Sequence, residues 1–438
     1  MTMQSDYERR IEEFRDLKVG MFVHWGMSSV VGRGEQIMAR DLMPLAEYEP
    51  YAQDFRPDAG WADRLAQAAK EAGLKYVVLT TRHHDGYCLF DTATHDFNAA
   101  QTGPGRDLVA EYAAACREAG LTVGFYYSLM SWRWRGYWSP ERYPEDLDAM
   151  VEEVHAQVRE LMTNYGPIDI LWYDGAGVPG RQAHGMWGGE PIEVTPAEFW
   201  RSAELNAMAR ALQPQILINN RAGVPEDFGT PEQRVSAEGA GRPWETCMTL
   251  NYAPGWGYLP QSMANKTAGE VLFNLMDAVR LGGNFLFNVG PRPDGAIDAR
   301  EGAVLAEIGR WLEVHGAAVY GTRPAAVYDL SLGRVQGPMF HYGMWTCRGN
   351  TGYLSLFYYP GETVVLSKIG PRPKRARLLT TGEALSLEPA SNGRTVIGGL
   401  PAICPDPLAA VIEVEFEGPP HAITRIDADW LEGTFSGG

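Results

Sequence analysis

Apolar positions in this chain fall into two alternating textures from Lys18 to about Gly321. Short, nearly unbroken apolar runs read as strands buried on both faces, and stretches with apolar residues on one helical face separate them. Val19-Gly20-Met21-Phe22-Val23-His24-Trp25-Gly26 is the first strand-like run. Trp61 to Gly73 predicts a helix, with Ala, Leu and Ala recurring on one face and a glycine at its end. Tyr76-Val77-Val78-Leu79-Thr80-Thr81-Arg82-His83-His84 is the second strand, Arg106 to Gly120 the next helix, and Val123-Gly124-Phe125-Tyr126-Tyr127-Ser128 the third strand. A long amphipathic helix over Asp146 to Tyr165 precedes Ile168-Asp169-Ile170-Leu171-Trp172-Tyr173-Asp174-Gly175. A helix over Pro196 to Leu212 precedes Ile216-Leu217-Ile218-Asn219-Asn220-Arg221. Alternating β and α elements with right-handed crossovers build a parallel sheet. This many repeats predict an α/β fold with a (β/α)8-like barrel. An open dinucleotide-binding sheet is the competing fold, but no G-x-G-x-x-G follows the first strand.

After about Arg323 the helical period disappears. Gly352-Tyr353-Leu354-Ser355-Leu356-Phe357-Tyr358-Tyr359 and Ala410-Val411-Ile412-Glu413-Val414-Glu415-Phe416 alternate as strands do. Pro360-Gly361, Ser391-Asn392-Gly393 and Gly398-Gly399 separate such runs as turns. The expected division is a catalytic barrel over residues 1–322 and a C-terminal β-sandwich over residues 323–438, about 115 residues long.

Length and charge sharpen this picture. The 438 residues exceed one ordinary domain. The formal net charge of -17 argues against nucleic acid or an anionic membrane as partner, because both repel an acidic surface. It favours a neutral or cationic substrate. Cys88, Cys116, Cys247, Cys347 and Cys404 are scattered, with neither zinc-ligand nor disulfide-framework spacing. The polar stretch Met1 to Asp16 has no apolar core of a signal peptide, and no run of about 18 apolar residues occurs. A reducing, cytoplasmic setting is the expectation, and a homo-oligomer is compatible with it.

The predicted strands end, in order, in His24, His83-His84, Tyr126-Tyr127, Asp174 and Arg221. In parallel barrels such ends converge on one mouth, where the chemistry sits. Each residue alone has a plainer reading: a satisfied core histidine, a packing tyrosine, a helix-capping aspartate, a surface ion pair. Five ends converging make Asp174 a candidate catalytic carboxylate. Adjacent residues on a strand face opposite sides, so His83 and His84 share a face only if the strand has ended. A metal-dependent hydrolase is the first alternative. Its sites take a His-x-His from one strand, and this chain has none, so no metal and no cofactor are expected. Two carboxylates flanking a sugar ring are the metal-free option. The 13 Trp and 20 Tyr residues supply rings that stack on sugar faces. The second carboxylate has three candidates, Glu232, Glu238 and Glu245.

The stretch from Gly20 to Gly26 resembles the opening signature of the α-L-fucosidases of glycoside hydrolase family 29. The resemblance runs on through Thr81-Arg82-His83-His84-Asp85-Gly86-Tyr87, Gly124 to Ser128, Leu171-Trp172-Tyr173-Asp174-Gly175 and Asn219-Asn220-Arg221. Trp244-Glu245-Thr246-Cys247-Met248-Thr249, Trp256-Gly257-Tyr258 and Gly283 to Pro291 complete it, over about residues 18–325. It implies retaining, exo-acting release of terminal α-L-fucose through a fucosyl-enzyme, from a fucosylated oligosaccharide or glycoconjugate. Asp174 matches the family's nucleophile, and Glu232 in Thr230-Pro231-Glu232-Gln233 resembles its acid/base. His24, His83, His84, Arg221, Trp256 and a tyrosine of the Tyr126-Tyr127 pair, expected to be Tyr127, match sugar-binding positions. Glu245 resembles a residue that supports the site and is grouped with that set. Many members carry Glu-Trp after the first strand. Here Glu35-Gln36 stands there, so Glu35 keeps its expected role while the stacking Trp is absent. A non-catalytic fucose-binding protein with the same pocket is the second alternative.

Overall fold

The computed structural model describes residues 3–180, 192–237, 241–252, 255–261, 264–325, 343–367, 369–390 and 393–422. It divides into two compact units, Met1–Thr267 with Asn284–Gly309, and Ala268–Gly283 with Arg310–Gly438.

The first unit is built on seven parallel strands: β1 (Val19–Val23), β2 (Tyr76–Arg82), β3 (Thr122–Ser128), β4 (Ile170–Asp174), β5 (Leu217–Ile218), β6 (Glu245–Thr249) and β7 (Asn284–Val289). They lie in the order β5-β4-β3-β2-β1-β7-β6. The gap between β5 and β6 is filled by an irregular stave. Phe228 bridges Asn219, Gly229 bridges Trp244, and Glu232 bridges Cys247, all in parallel sense. Amide bonds from Gln233 to Cys247 O (2.9 Å) and from Cys247 to Pro231 O (3.1 Å) hold it there. This eighth stave closes the sheet into the barrel and carries Glu232.

Helices form where the sequence supplies both a stripe and a cap. Leu108–Ala119 starts at Asp107, whose carboxylate accepts from the Ala110 amide, and stops at Gly120 in the left-handed region (φ 75°). The predicted helix over Pro196 to Leu212 is two helices, Pro196–Phe199 and Ser202–Leu212, broken at Arg201 with φ 49°. The last predicted strand is shorter than its apolar run: only Leu217–Ile218 pairs regularly, and Asn219 to Arg221 continue as loop. Within the barrel, Phe22, Tyr76, Val78, Tyr126, Ile170, Trp172, Leu217, Phe228, Cys247 and Leu286 form one buried cluster, joined by Ile11 and Phe14 of the helix Met3–Leu17.

The second unit carries an eight-stranded antiparallel sheet and a two-stranded one. Trp345 and Leu354, near one edge of the large sheet, share an apolar cluster with Val364, Leu366 and Ile397, near the other. One sheet therefore folds over itself, which gives the expected sandwich-like packing. The expected boundary at 322/323 is corrected, because earlier segments pack with the β unit. Trp311 donates to Ala409 O (2.7 Å), His315 faces Asp406 (3.1 Å), Thr346 donates to Ala318 O (2.6 Å), and Phe273 meets Phe357 edge-on at 5.2 Å.

Candidate active site

All barrel strands run in one direction, so their carboxyl ends meet at one mouth. Alternation then decides which side chains enter the lumen. On β4 those are Trp172 and Asp174. The register pairs Tyr126 with Trp172, Tyr127 with Tyr173, and Ser128 with Asp174. Tyr126 and Ser128 therefore face the lumen with Asp174, while Tyr127 faces out.

Asp174 is the centre of the constellation. Arg221 Nη1 donates to its Oδ1 at 3.1 Å, and the Tyr126 hydroxyl donates to its Oδ2 at 3.0 Å. His84 Nε2 lies 3.8 Å from the same Oδ2. Burial pushes the carboxyl up, but the Arg221 guanidinium, with the Gly175 amide and the Tyr126 hydroxyl, outweighs it, and the net shift is downward. Asp174 is thus held as a carboxylate with 24% of its side chain exposed. Gly175 sits at φ 67°, and a Cβ there would lie 2.8 Å from the Met130 side chain, so the sharp exit from β4 requires glycine.

Arg221 also reaches Glu232. Its Nη2 lies 2.8 Å from Glu232 Oε2, and Nε donates to Thr230 Oγ1 at 2.9 Å. Its guanidinium rests on the Trp172 ring, Cζ 4.6 Å from the centroid. Glu232 is 40% exposed at the rim. Gln233, the next residue, has φ 54° and clamps its amide side chain to Thr249 (Nε2 to Oγ1, 3.1 Å).

The three histidines surround this core. β2 ends at Arg82, so His83 and His84 lie beyond the strand and fall on the same side, rings 4.0 Å apart. Ser128 Oγ donates to Met130 O at 2.9 Å, so it accepts from His84 Nδ1–H at 2.7 Å. Asn288 Nδ2 donates to Trp256 O at 2.6 Å, so its carbonyl accepts from His24 Nδ1–H at 2.6 Å. These network assignments leave both Nε2 atoms unprotonated, as acceptors. Burial lowers His24 to about 3 and His84 to about 4, against the raising effects of Asn288 on the first and Asp174 on both. Burial, with its two histidine neighbours, also lowers His83, which stacks on Tyr126 at 5.5 Å and 7°.

Glu35 is buried under the segment Trp256-Gly257. Its Oε2 accepts from both amides, at 2.8 and 2.7 Å, while its buried Oε1 has no partner among the described residues. Trp256 packs on His24 at 5.0 Å and on Phe22 at 5.9 Å. Phe22, Tyr126, Trp172 and Trp256 thus form an aromatic wall beside acceptors at His24, His84 and Glu35. Such a mixture fits a small polyhydroxylated ring with one apolar edge. Among the described residues, no cluster of three or more His, Cys, Asp or Glu could hold a metal ion.

Two expected site residues lie elsewhere. Tyr127 is corrected to Tyr126: the Tyr127 hydroxyl accepts from Arg82 and donates to Gln157 Oε1 (2.8 Å) on the outer side of the sheet. Glu245, expected to support the site and grouped with the sugar-binding residues, lies at the barrel floor. It is the first residue of β6 and fully buried; Tyr76 donates to its Oε2, and Trp172 Nε1 donates to its Oε1 at 3.0 Å. Burial pushes its carboxyl up to about 7, against those two donors. Glu238 lies outside the described residues. Sequence reasoning did not single out Ser128, Asn288 or Trp172 as site residues. Their signal was present, since each stands two positions from a lumen residue on its own strand.

Comparisons with known proteins bear on the family and the fold. The family model described as alpha-L-fucosidase matches residues 1–317. The tissue alpha-L-fucosidase of Mus musculus is 27% identical over 402 residues, 84% of this chain and 82% of that protein. That of Bos taurus is 29% identical, covering 92% of this chain and 86% of its own. Among solved structures, alpha-L-fucosidase isoenzyme 1 from Paenibacillus thiaminolyticus superposes with a TM-score of 0.81 at 34% identity, over 94% of this chain and all (100%) of that one. A GH29 enzyme from Bacteroides thetaiotaomicron, trapped as a covalent intermediate from 2-fluoro-fucosyl fluoride, gives a TM-score of 0.80 at 25% identity, over 94% of this chain and 96% of that one.

Proposed function

This chain belongs to the α-L-fucosidase family and is a glycoside hydrolase, and from that premise we propose that it releases terminal α-L-fucose with retention of configuration. The observation that carries the reading is the shared guanidinium: Arg221 binds Asp174 and Glu232 at once, which places two carboxyl groups within a single residue's span. Retaining glycosidases need their carboxyls about 5–5.5 Å apart, whereas inverting ones leave room for a water between them.

In the proposed reaction Asp174 attacks the anomeric carbon and forms a β-linked fucosyl-enzyme. Arg221 and Tyr126 keep it ionised and aimed. Glu232 protonates the departing glycosidic oxygen, then takes a proton from the water that releases the sugar. His24 Nε2, His84 Nε2 and Glu35 Oε1 accept hydroxyl protons, and the aromatic wall covers the apolar edge of fucose. The half-exposed position of Glu232 leaves space for the leaving group, a fucosylated oligosaccharide or glycoconjugate. The cytoplasmic setting stays part of this proposal, supported by five free thiols.

A time course by NMR with an aryl α-L-fucoside tests the reading. α-Fucose should appear first and mutarotate afterwards. Initial release of β-fucose would overturn it.

A further inference from the structure

Glu245 is a polar group of the barrel lumen that this mechanism leaves without a task. Both of its donors, Tyr76 and Trp172, belong to the apolar cluster that holds Phe14, Phe22, Phe228 and Leu286. The lumen is shaped to bring one donor in: a Cβ on Gly20 would lie 2.5 Å from the Tyr76 ring. An apolar side chain of similar volume would fill that floor at lower cost than a carboxyl removed from water. Packing alone therefore gives no account of Glu245.

The account lies in what the indole packs against. Trp172 donates its N–H to Glu245, and its ring touches two further groups. Arg221 lies over the ring at 4.6 Å, and Tyr126 stacks on it at 5.7 Å and 20°. Those two residues donate side-chain hydrogen bonds to Asp174. Hydrophobic packing fills the volume around an indole but distinguishes its two ring flips weakly, whereas a bond to the single N–H selects one. We propose that Glu245 is a positioning residue, which fixes the flip of Trp172 and thereby the placement of Arg221 and Tyr126 on Asp174. The inference rests on the reading of Asp174 as nucleophile.

A double-mutant cycle in the full chain tests it, with kcat and KM on an aryl α-L-fucoside and thermal unfolding as readouts. Glu245→Leu and Glu245→Met, which leave Trp172 Nε1 without an acceptor there, should fold and should lower kcat on the order of 10²-fold through misplacement, with KM little changed. Trp172→Phe keeps a ring but deletes the N–H. In that background, adding either Glu245 substitution should cost less than about twofold in kcat, because the bond through which Glu245 acts is already gone. Three outcomes would overturn the proposal: unchanged kcat in folded Glu245 variants, the same loss in both backgrounds, or failure of both Glu245 variants to fold. Retained turnover in Asp174→Ala would instead overturn the reading beneath it, and that measurement is independent of Glu245.

Discussion

Asp174 and Glu232 are joined through one guanidinium, with Arg221 Nη1 3.1 Å from the first and Nη2 2.8 Å from the second. Two carboxylates at one sugar site repel each other, and a cation between them lets both stay close and still differ in task. Asp174 is the less exposed, lowered partner and Glu232 the rim-exposed one.

Arg221→Lys keeps the charge but loses the fork. Turnover should fall on the order of 10²-fold or more. The charge of Arg221 is the foremost influence lowering the Asp174 carboxyl, so the neutral replacement Arg221→Met should raise that pKa and move the acid limb of kcat/KM to higher pH. A pH–rate profile with an unshifted limb would show that Arg221 does not set the ionisation of Asp174.

Azide distinguishes the two carboxylates. Glu232→Ala should be rescued on activated substrates, because azide attacks the β-linked fucosyl-enzyme without a base and gives the α-fucosyl azide. Asp174→Ala cannot form that intermediate, so any azide product should be the β-anomer. Product anomers read by NMR decide the assignment, and a β-azide from Glu232→Ala would reverse it.

The tyrosine pair offers a sharp contrast. Tyr126→Phe removes a hydrogen bond to a charged carboxylate, worth about 1.5–3 kcal/mol, so kcat/KM should drop by roughly 10–100-fold. Tyr127→Phe strips a partner from buried Arg82 and Gln157 and should lower the unfolding temperature with kcat/KM nearly unchanged. Equal kinetic losses in the two variants would contradict the assigned faces.

Glu245 couples stability to pH. Its folded carboxyl titrates at about 7, above the unfolded value of about 4.3, so the native state holds an extra proton between those values. Its contribution is full below the unfolded value and is lost as pH rises through 7. The stability of Glu245→Gln relative to wild type should therefore increase from pH 5 to pH 8 in urea unfolding. A constant difference would place the titration elsewhere.

The imidazoles give the opposite sign. Burial holds His24 and His84 neutral down to about 3 and 4, so neither should titrate between pH 5 and 8 in ¹⁵N NMR of the free protein. A transition near 6.5 in either ring would contradict the buried acceptor role.

The sequence by itself determined the local periods. Unbroken apolar runs became β1 to β4, amphipathic stripes became the helices that follow them, and the period-2 texture after Arg323 became the folded antiparallel sheet. It also carried Asp174 at a strand end, because a carboxylate after an apolar run is a local signal. Tertiary structure decided what depends on neighbours distant in sequence. Tyr126 and Tyr127 are equivalent in sequence until the register against Trp172 and Asp174 selects a face. Glu245 and Glu232 both follow β5, yet one begins a strand at the barrel floor and the other rides an irregular stave at the rim. Height along a barrel axis is set by strand stagger, and stagger is a relation between strands that no single segment encodes.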